Sequence, residues 1–170
     1  MEWNEFFMSM ADTVAQKSKD SSTKVGAVIV GPDNEVRSVG FNGFPRGAID
    51  EQSDRRLWVT GFPQDQPSIE KQEEFKKRLE RPAKYSWTEH AERNAIYNAA
   101  RMGTPLNDCI IYINSLPPCC DCARAIIQSG ISEVVIPGID IPERWKEDCE
   151  LAEQMLHECG VLLTTTTNKE

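Results

Sequence analysis

Pro118-Cys119-Cys120-Asp121-Cys122-Ala123-Arg124-Ala125-Ile126-Ile127-Gln128-Ser129-Gly130 is the stretch on which the reading of the fold turns. It predicts a helix from Cys119 to Ser129, because proline suits a helix start and glycine a helix end. On its amino side, Cys109-Ile110-Ile111-Tyr112-Ile113-Asn114 reads as a buried strand, and on its carboxyl side Val134-Val135-Ile136 reads as another. A helix over residues 141 to 159 and a last strand over 161 to 167 continue the alternation. Strands alternating with helices imply an α/β layered sheet with partly parallel strands.

Upstream, residues 88 to 101 are alanine-rich and helix-favouring, with Gly103-Thr104-Pro105 as a stop. Val25-Gly26-Ala27-Val28-Ile29-Val30 is a β-branched run. The turn residues Gly31-Pro32-Asp33-Asn34 join it to a second strand over 35 to 41, and the pair reads as a hairpin. Residues 3 to 18 place Trp3, Phe6, Phe7, Met10, Val14 and Ala15 at helical spacing. The loop Gly40-Phe41-Asn42-Gly43-Phe44-Pro45-Arg46-Gly47 has glycines that permit close backbone approach to a ligand. Residues 48 to 84 are polar and punctuated by proline. They read as an insertion or lid carrying one exposed helix, Ile69 to Leu79.

The 170 residues suit a single domain spanning 1–170, with 39% apolar and 27% charged residues, a globular balance. A formal net charge of -8 argues against a chain that binds by neutralising many nucleic-acid phosphates, and for a small substrate. No apolar run approaches the roughly 20 residues of a membrane span, and Met1-Glu2-Trp3-Asn4-Glu5 lacks the basic start of a signal peptide. A cytoplasmic location is the expectation. Cys119, Cys120 and Cys122 cluster while Cys109, Cys149 and Cys159 scatter, which favours metal ligation plus inert buried thiols over a disulfide framework.

The chemistry lies in His90-Ala91-Glu92 and Pro118-Cys119-Cys120-Asp121-Cys122. Cys119 and Cys122 share a face on a first helical turn, where the helix dipole favours the thiolates that zinc requires. His90 and Glu92 lie about 200° apart around an ideal helix, so both approach a metal only from a first turn. His90 is then the third ligand, and Glu92 stands in reach of water at an open fourth position without ligating. Three protein ligands with an open position mark a catalytic zinc rather than a structural one. A closed site that adds Cys120 is the alternative, but Cys120 is adjacent to Cys119 and should point away. The spacing H-x-E with P-C-x-x-C is the established signature of zinc deaminases.

On these motifs, with Lys24-Val25-Gly26-Ala27-Val28-Ile29-Val30, Gly40-Phe41-Asn42-Gly43 and His90-Ala91-Glu92-Arg93-Asn94-Ala95-Ile96, the chain resembles the deoxycytidylate deaminase branch of the zinc-dependent cytidine deaminase superfamily. The resemblance implies a three-layer α/β/α fold with a five-stranded mixed sheet and one zinc ion per chain. It also implies hydrolytic deamination of a free pyrimidine nucleotide, dCMP to dUMP, in which water attacks C4 while Glu92 moves protons to N3 and to the departing amine. By the same resemblance Asn42 bonds the sugar or base, Lys24, Ser22 and Arg46 are candidates for the phosphate, and Asn94 orients the site from the face of His90. Gly40 and Gly43 are candidates for an effector loop binding dCTP or dTTP. Arg101, about 16 Å from His90 along the helix, is a candidate for the interface of a homo-oligomer. Two positions depart from the family pattern: Glu89 and Arg93 stand where apolar residues are usual.

Three other readings remain open. The first is a deaminase acting on another free base, nucleoside or nucleotide. The second is one acting on tRNA or single-stranded DNA, disfavoured by the acidic chain and the lack of aromatic-basic interleaving. The third is a catalytically silent zinc-stabilised module, disfavoured because Glu92 and an open position serve no purely structural metal.

Overall fold

The computed structural model describes residues 1–48 and 69–166. Much of the expected insertion, with Pro63 and Pro67, lies outside the described residues, as does Thr167 at the end of the last expected strand. The elements run α1 (Trp3–Ala15), β1 (Gly26–Val30), β2 (Val36–Phe41), α2 (Ile69–Leu79), α3 (Ala83–Trp87), α4 (Ala91–Met102), β3 (Ile110–Ile113), α5 (Cys120–Gln128), β4 (Glu133–Ile136), α6 (Glu143–Glu158) and β5 (Leu162–Thr165). They divide into two compact units. The first comprises Met1–Asn42 with His90–Glu170, and the second Gly43–Glu89. The second unit starts before residue 48 and ends after residue 84.

In the first unit the five strands lie in the order β2-β1-β3-β4-β5. β1 pairs antiparallel with both β2 and β3, whereas β3, β4 and β5 run parallel. Parallel neighbours need crossovers, supplied by α5 between β3 and β4 and by α6 between β4 and β5. Strand alternation then sorts the core onto two faces. Ala27, Ile29, Ile111, Ile113, Val134 and Ile136 pack with Ala95, Ala99, Ala123, Ile126 and Leu156 from α4, α5 and α6. Val28, Val30, Tyr112 and Val135 pack on the other face with Phe7 and Ala11 of α1. Helices cover both faces, so the expected three-layer α/β/α arrangement with a mixed sheet is the one observed.

Two glycines allow helices to lie directly on the strands. A Cβ on Gly26 would fall 2.1 Å from the carbonyl oxygen of Ala11 in α1. A Cβ on Gly40 would fall 2.3 Å from both the carbonyl oxygen of Ala91 and the amide nitrogen of Ala95 in α4. α4 answers with a seam of small residues, Ala91, Ala95 and Ala99, all fully buried. Polar side chains complete the seat. Asn94 Nδ2 donates to Phe41 O at 2.8 Å, Asn98 Nδ2 to Val39 O at 2.8 Å, and Ser38 Oγ to Ala95 O at 2.7 Å. The two asparagine bonds also occupy carbonyls of β2, an edge strand whose open main chain would otherwise invite another strand.

The second unit has its own small aromatic centre. Phe44 packs edge-on against Phe75 at 5.3 Å between centroids and lies 6.0 Å from Trp87, over which the Arg78 guanidinium sits at 4.0 Å. α2 spans the expected residues, whereas α3 was not anticipated: its five residues are too short for a periodic apolar pattern.

Substituting Gly40→Ala should lower the melting temperature by roughly 2–12 °C, the scale of overpacking by about 1–3 kcal/mol in a chain of this size. Gly103→Asn should leave it within about 2 °C, because nothing lies within 4 Å of the added Cβ and Asn tolerates the left-handed backbone there. Thermal melts followed by circular dichroism test both.

Candidate metal centre and active site

The site is built where two helices begin. His90 is the N-cap of α4 (φ −76°, ψ 154°) and Cys119 the N-cap of α5 (φ −70°, ψ 168°), each extended immediately before its helix. Neither side chain caps its own helix. A capping Ser, Thr, Asp or Asn contributes about 1 kcal/mol at such a position, a contribution both helices forgo. The side chains face each other instead. His90 Nδ1 lies 3.5 Å from Cys119 Sγ and 3.4 Å from Cys122 Sγ, and the three candidate ligand atoms fall within 4.8 Å of one another. With Zn–N and Zn–S bonds of about 2.0 and 2.3 Å, a tetrahedral ion separates its nitrogen and sulfur ligands by about 3.5 Å. The three residues therefore fit zinc, with one coordination position left over.

The expected α4 helix starts later than the sequence suggests, at Ala91 rather than Thr88. Glu89 is taken by a two-way bridge to Gly43, with Gly43 N donating to Glu89 O at 3.0 Å and Glu89 N to Gly43 O at 2.8 Å. That keeps the chain extended up to His90. Glu92 then falls in the first turn of α4 and is 5% exposed. Burial raises its pKa above the ordinary carboxylate value, partly offset by the charge on His90.

The two thiols behave oppositely. Cys119 is lowered to about 4 by the hydrogen bond from Cys122, against burial and with help from His90. Cys122 is pushed up by that same bond and by its burial. His90 is raised chiefly by Cys119. The cluster thus already stabilises one thiolate, and metal binding would displace the remaining protons. Cys120 turns away from the cluster, its Sγ donating to Asp148 O at 3.4 Å and its amide to Asp148 Oδ2 at 3.3 Å.

Asn42 is buried and heavily used. Its Oδ1 accepts from Val25 N at 2.8 Å, and its Nδ2 donates to Thr23 O at 2.9 Å and to Asp20 Oδ2 at 3.5 Å. Ser22 Oγ donates to Asp20 Oδ1 at 2.8 Å, and Lys24 is exposed on the same loop. Asn94 is occupied by the carbonyl of Phe41, a bond that holds α4 to β2. Gly40 belongs to β2 rather than to a ligand loop: it is buried under α4, so its missing side chain serves packing. Gly43 makes the bridge to Glu89, while Arg46 lies in the turn that follows, in the second unit. Arg101 is exposed in the last turn of α4.

Among the scattered cysteines, Cys109 and Cys149 are buried as expected, but Cys159 is exposed just past the end of α6. Asp20 and Asp148 escaped the sequence reading. Asp20 sits in a run of Ser and Lys that looks like surface, and Asp148 lies in a charged helix; no spacing marks either as buried or helix-capping.

Comparison with known proteins agrees with this geometry. Residues 1–137 match the model of the cytidine and deoxycytidylate deaminase zinc-binding region. The chain belongs to that family. It is 38% identical over 135 residues to the deoxycytidylate deaminase of Pongo abelii, covering 79% of this chain but 64% of that one. It is 37% identical over 164 residues to an uncharacterized deaminase from the luxG 3' region of Aliivibrio fischeri, covering 95% and 92% of the two chains. The chain therefore spans less than two thirds of the mammalian relative. In fold it is similar to the dCMP deaminase of cyanophage S-TIM5 in complex with dCMP and dUMP, with a TM-score of 0.64, 21% identity and 95% of each chain covered. None of the described helices is long and apolar enough to cross a membrane.

Cys119→Ala and Cys122→Ala should each lose bound zinc, whereas Cys120→Ala should keep about one zinc per chain, as three-ligand sites with an open position do. Metal analysis of the purified variants decides this, and retention of zinc by Cys122→Ala would exclude that thiol as a ligand.

Proposed function

We propose that the protein is a zinc-dependent deaminase converting dCMP to dUMP and ammonia, with His90, Cys119 and Cys122 holding the metal and Glu92 moving the protons. The observation that carries this reading is the meeting of His90 Nδ1 with two thiols at 3.4 and 3.5 Å, in the same helical first turn as a buried carboxyl. Its assignment to dCMP draws on the named activity of the Pongo abelii relative.

Zinc bound there supplies the Lewis acidity that lets water ionise near neutral pH. Glu92 does the rest of the proton work. Its raised pKa suits a group that accepts and returns a proton within one turnover. It takes a proton from the attacking water as the new C4–O bond forms, and delivers it to N3. It then carries the second proton of that water to the exocyclic amine. The C4–N bond breaks with its electron pair leaving on nitrogen, so ammonia departs and C4 keeps the oxygen as a carbonyl. Burial of Glu92 keeps the proton from exchanging with bulk solvent between these transfers. Asn42, Ser22 and Lys24 lie on one loop system and supply hydroxyl, amide and cationic groups for the sugar and phosphate.

The reading extends to a homo-oligomer with Arg101 at its interface and to triphosphate effectors bound near Gly43. A single-protomer mass in light scattering at micromolar concentration would remove the first. Unchanged kinetics with millimolar dCTP and dTTP would remove the second.

Ammonia release should be fastest with dCMP among cytidine, dCMP, dCTP, adenosine and guanine, and faster preference for another compound would reassign the substrate. Glu92→Gln should keep about one zinc per chain and lose at least about a hundredfold in turnover, the usual scale for a general acid/base group. Loss of zinc in that variant would make Glu92 a ligand instead.

A further inference from the structure

Between α1 and β1 the chain Ser18-Lys19-Asp20-Ser21-Ser22-Thr23-Lys24 turns around one buried carboxylate. Asp20 is 6% exposed, and its Oδ1 accepts from Ser22 N at 2.8 Å, Ser22 Oγ at 2.8 Å and Thr23 N at 3.2 Å. Its Oδ2 accepts from Asn42 Nδ2 at 3.5 Å. Ser18, 2% exposed, ties the same two segments from below, donating to Asn42 O at 2.8 Å and accepting from Asp20 N at 3.2 Å. Ordering so many polar groups away from water is costly unless all are satisfied, so a buried hub of this kind holds a single geometry.

What that geometry serves follows from where Asn42 stands. Gly43 and Glu89 exchange both main-chain bonds as an antiparallel pair. Their outer neighbours, Asn42 and His90, are therefore set side by side. The hub thus ends beside a candidate metal ligand, and its turn carries the exposed hydroxyls and cation of Ser21, Ser22, Thr23 and Lys24. Asn42 itself has spent both amide hydrogens, on Thr23 O and Asp20 Oδ2, and one acceptor site of Oδ1, on Val25 N. One acceptor site of Oδ1 remains. With its amide hydrogens committed, Asn42 meets a substrate as an acceptor for a hydroxyl or amine.

We propose that Asp20 is a positioning residue for substrate binding: it locks the 18–25 turn and the amide of Asn42 in the orientation that receives the nucleotide beside His90. This rests on the deaminase reading above. Asp20 does not touch the reacting atoms, and its removal acts through Asn42 and the turn.

The test uses the zinc-loaded full chain with dCMP. Asp20→Asn keeps the size of the side chain but sets an amide donor against the donor of Asn42. It should raise KM at least about tenfold while kcat stays within about threefold and zinc stays near one per chain, the pattern of lost binding without lost chemistry. Hydrogen exchange at the amides of Ser22, Thr23 and Val25 should quicken in the same variant. An unchanged KM, a fall in kcat at constant KM, or loss of zinc would each overturn the proposal. If Asp20→Asn does not fold, Asn42→Asp carries the test. It keeps the acceptor for Val25 but turns a carboxylate on Asp20, so KM must rise with zinc retained, and an unchanged KM overturns the proposal equally. Should the wild-type chain release no ammonia from dCMP, the substrate assignment fails on its own. The same variants are then measured on the compound that does release it.

Discussion

The seating of α4 on β2 is the contact on which the remaining site geometry depends. It is unusually close because Gly40 has no side chain and α4 presents only alanines to it. Dispersion between such small groups is modest, so polar bonds from Asn94, Asn98 and Ser38 supply the direction that alanine packing lacks. Together they fix where α4 begins. The start of α4 fixes His90, and His90 must meet thiols delivered by a different crossover helix. A shift of α4 by one residue along β2 would move Nδ1 by about 1.5 Å, enough to open the gap to both sulfurs beyond the edge of a tetrahedral zinc site.

That dependence explains why some of the molecule is legible in the sequence and some is not. The meeting of His90, Cys119 and Cys122, with Glu92 in the first turn beside them, follows from spacing, because side chains at a helix start are placed by local geometry. The β3–α5–β4–α6–β5 half follows from alternating apolar runs and glycine stops. By contrast Gly40 falls both in the expected strand over 35 to 41 and in the expected glycine loop, and nothing local announces a helix lying across it. For Asn94 the place four residues after His90 suggests a shared face, but its bond to the carbonyl of Phe41 is not legible, because Phe41 is remote in sequence. Asp20 was invisible, because the burial of a carboxylate in a Ser/Lys run is decided by Asn42 and the turn folding over it. The missed features are all contacts between segments far apart in the chain.

The cysteine pair illustrates a second constraint, electrostatic rather than steric. Hydrogen bonds among the two thiols and the imidazole lower Cys119 and raise Cys122 and His90, so the three groups titrate as one coupled cluster. A divalent ion held there would require both sulfurs as thiolates and the ring neutral, so its binding would release protons. Glu92 is coupled to the same cluster. Its burial favours the neutral acid while His90 favours the anion, opposed influences that fit the proton-transfer role proposed for it.

The two departures from the family pattern can be judged by what each position asks of its side chain. Glu89 is engaged through its main chain in the bridge to Gly43, and a main-chain bridge places no demand on the identity of the side chain. Arg93 is different, because its side chain reaches the first turn of the partner helix, where Nη1 lies 3.4 Å from Asp121 Oδ2, and Asp121 also pairs with Arg124. Asp121 is 57% exposed, so the pair adds little to stability. Its effect is geometric. Arg93 follows Glu92 directly and Asp121 lies between Cys119 and Cys122, so the ion pair spans the two helical turns that carry the candidate metal ligands and Glu92. An apolar residue at position 93 could reach the same gap only by packing, whereas an arginine needs a carboxylate across it. Neither Arg93 nor Asp121 belongs to the cluster of candidate ligands, His90, Cys119 and Cys122.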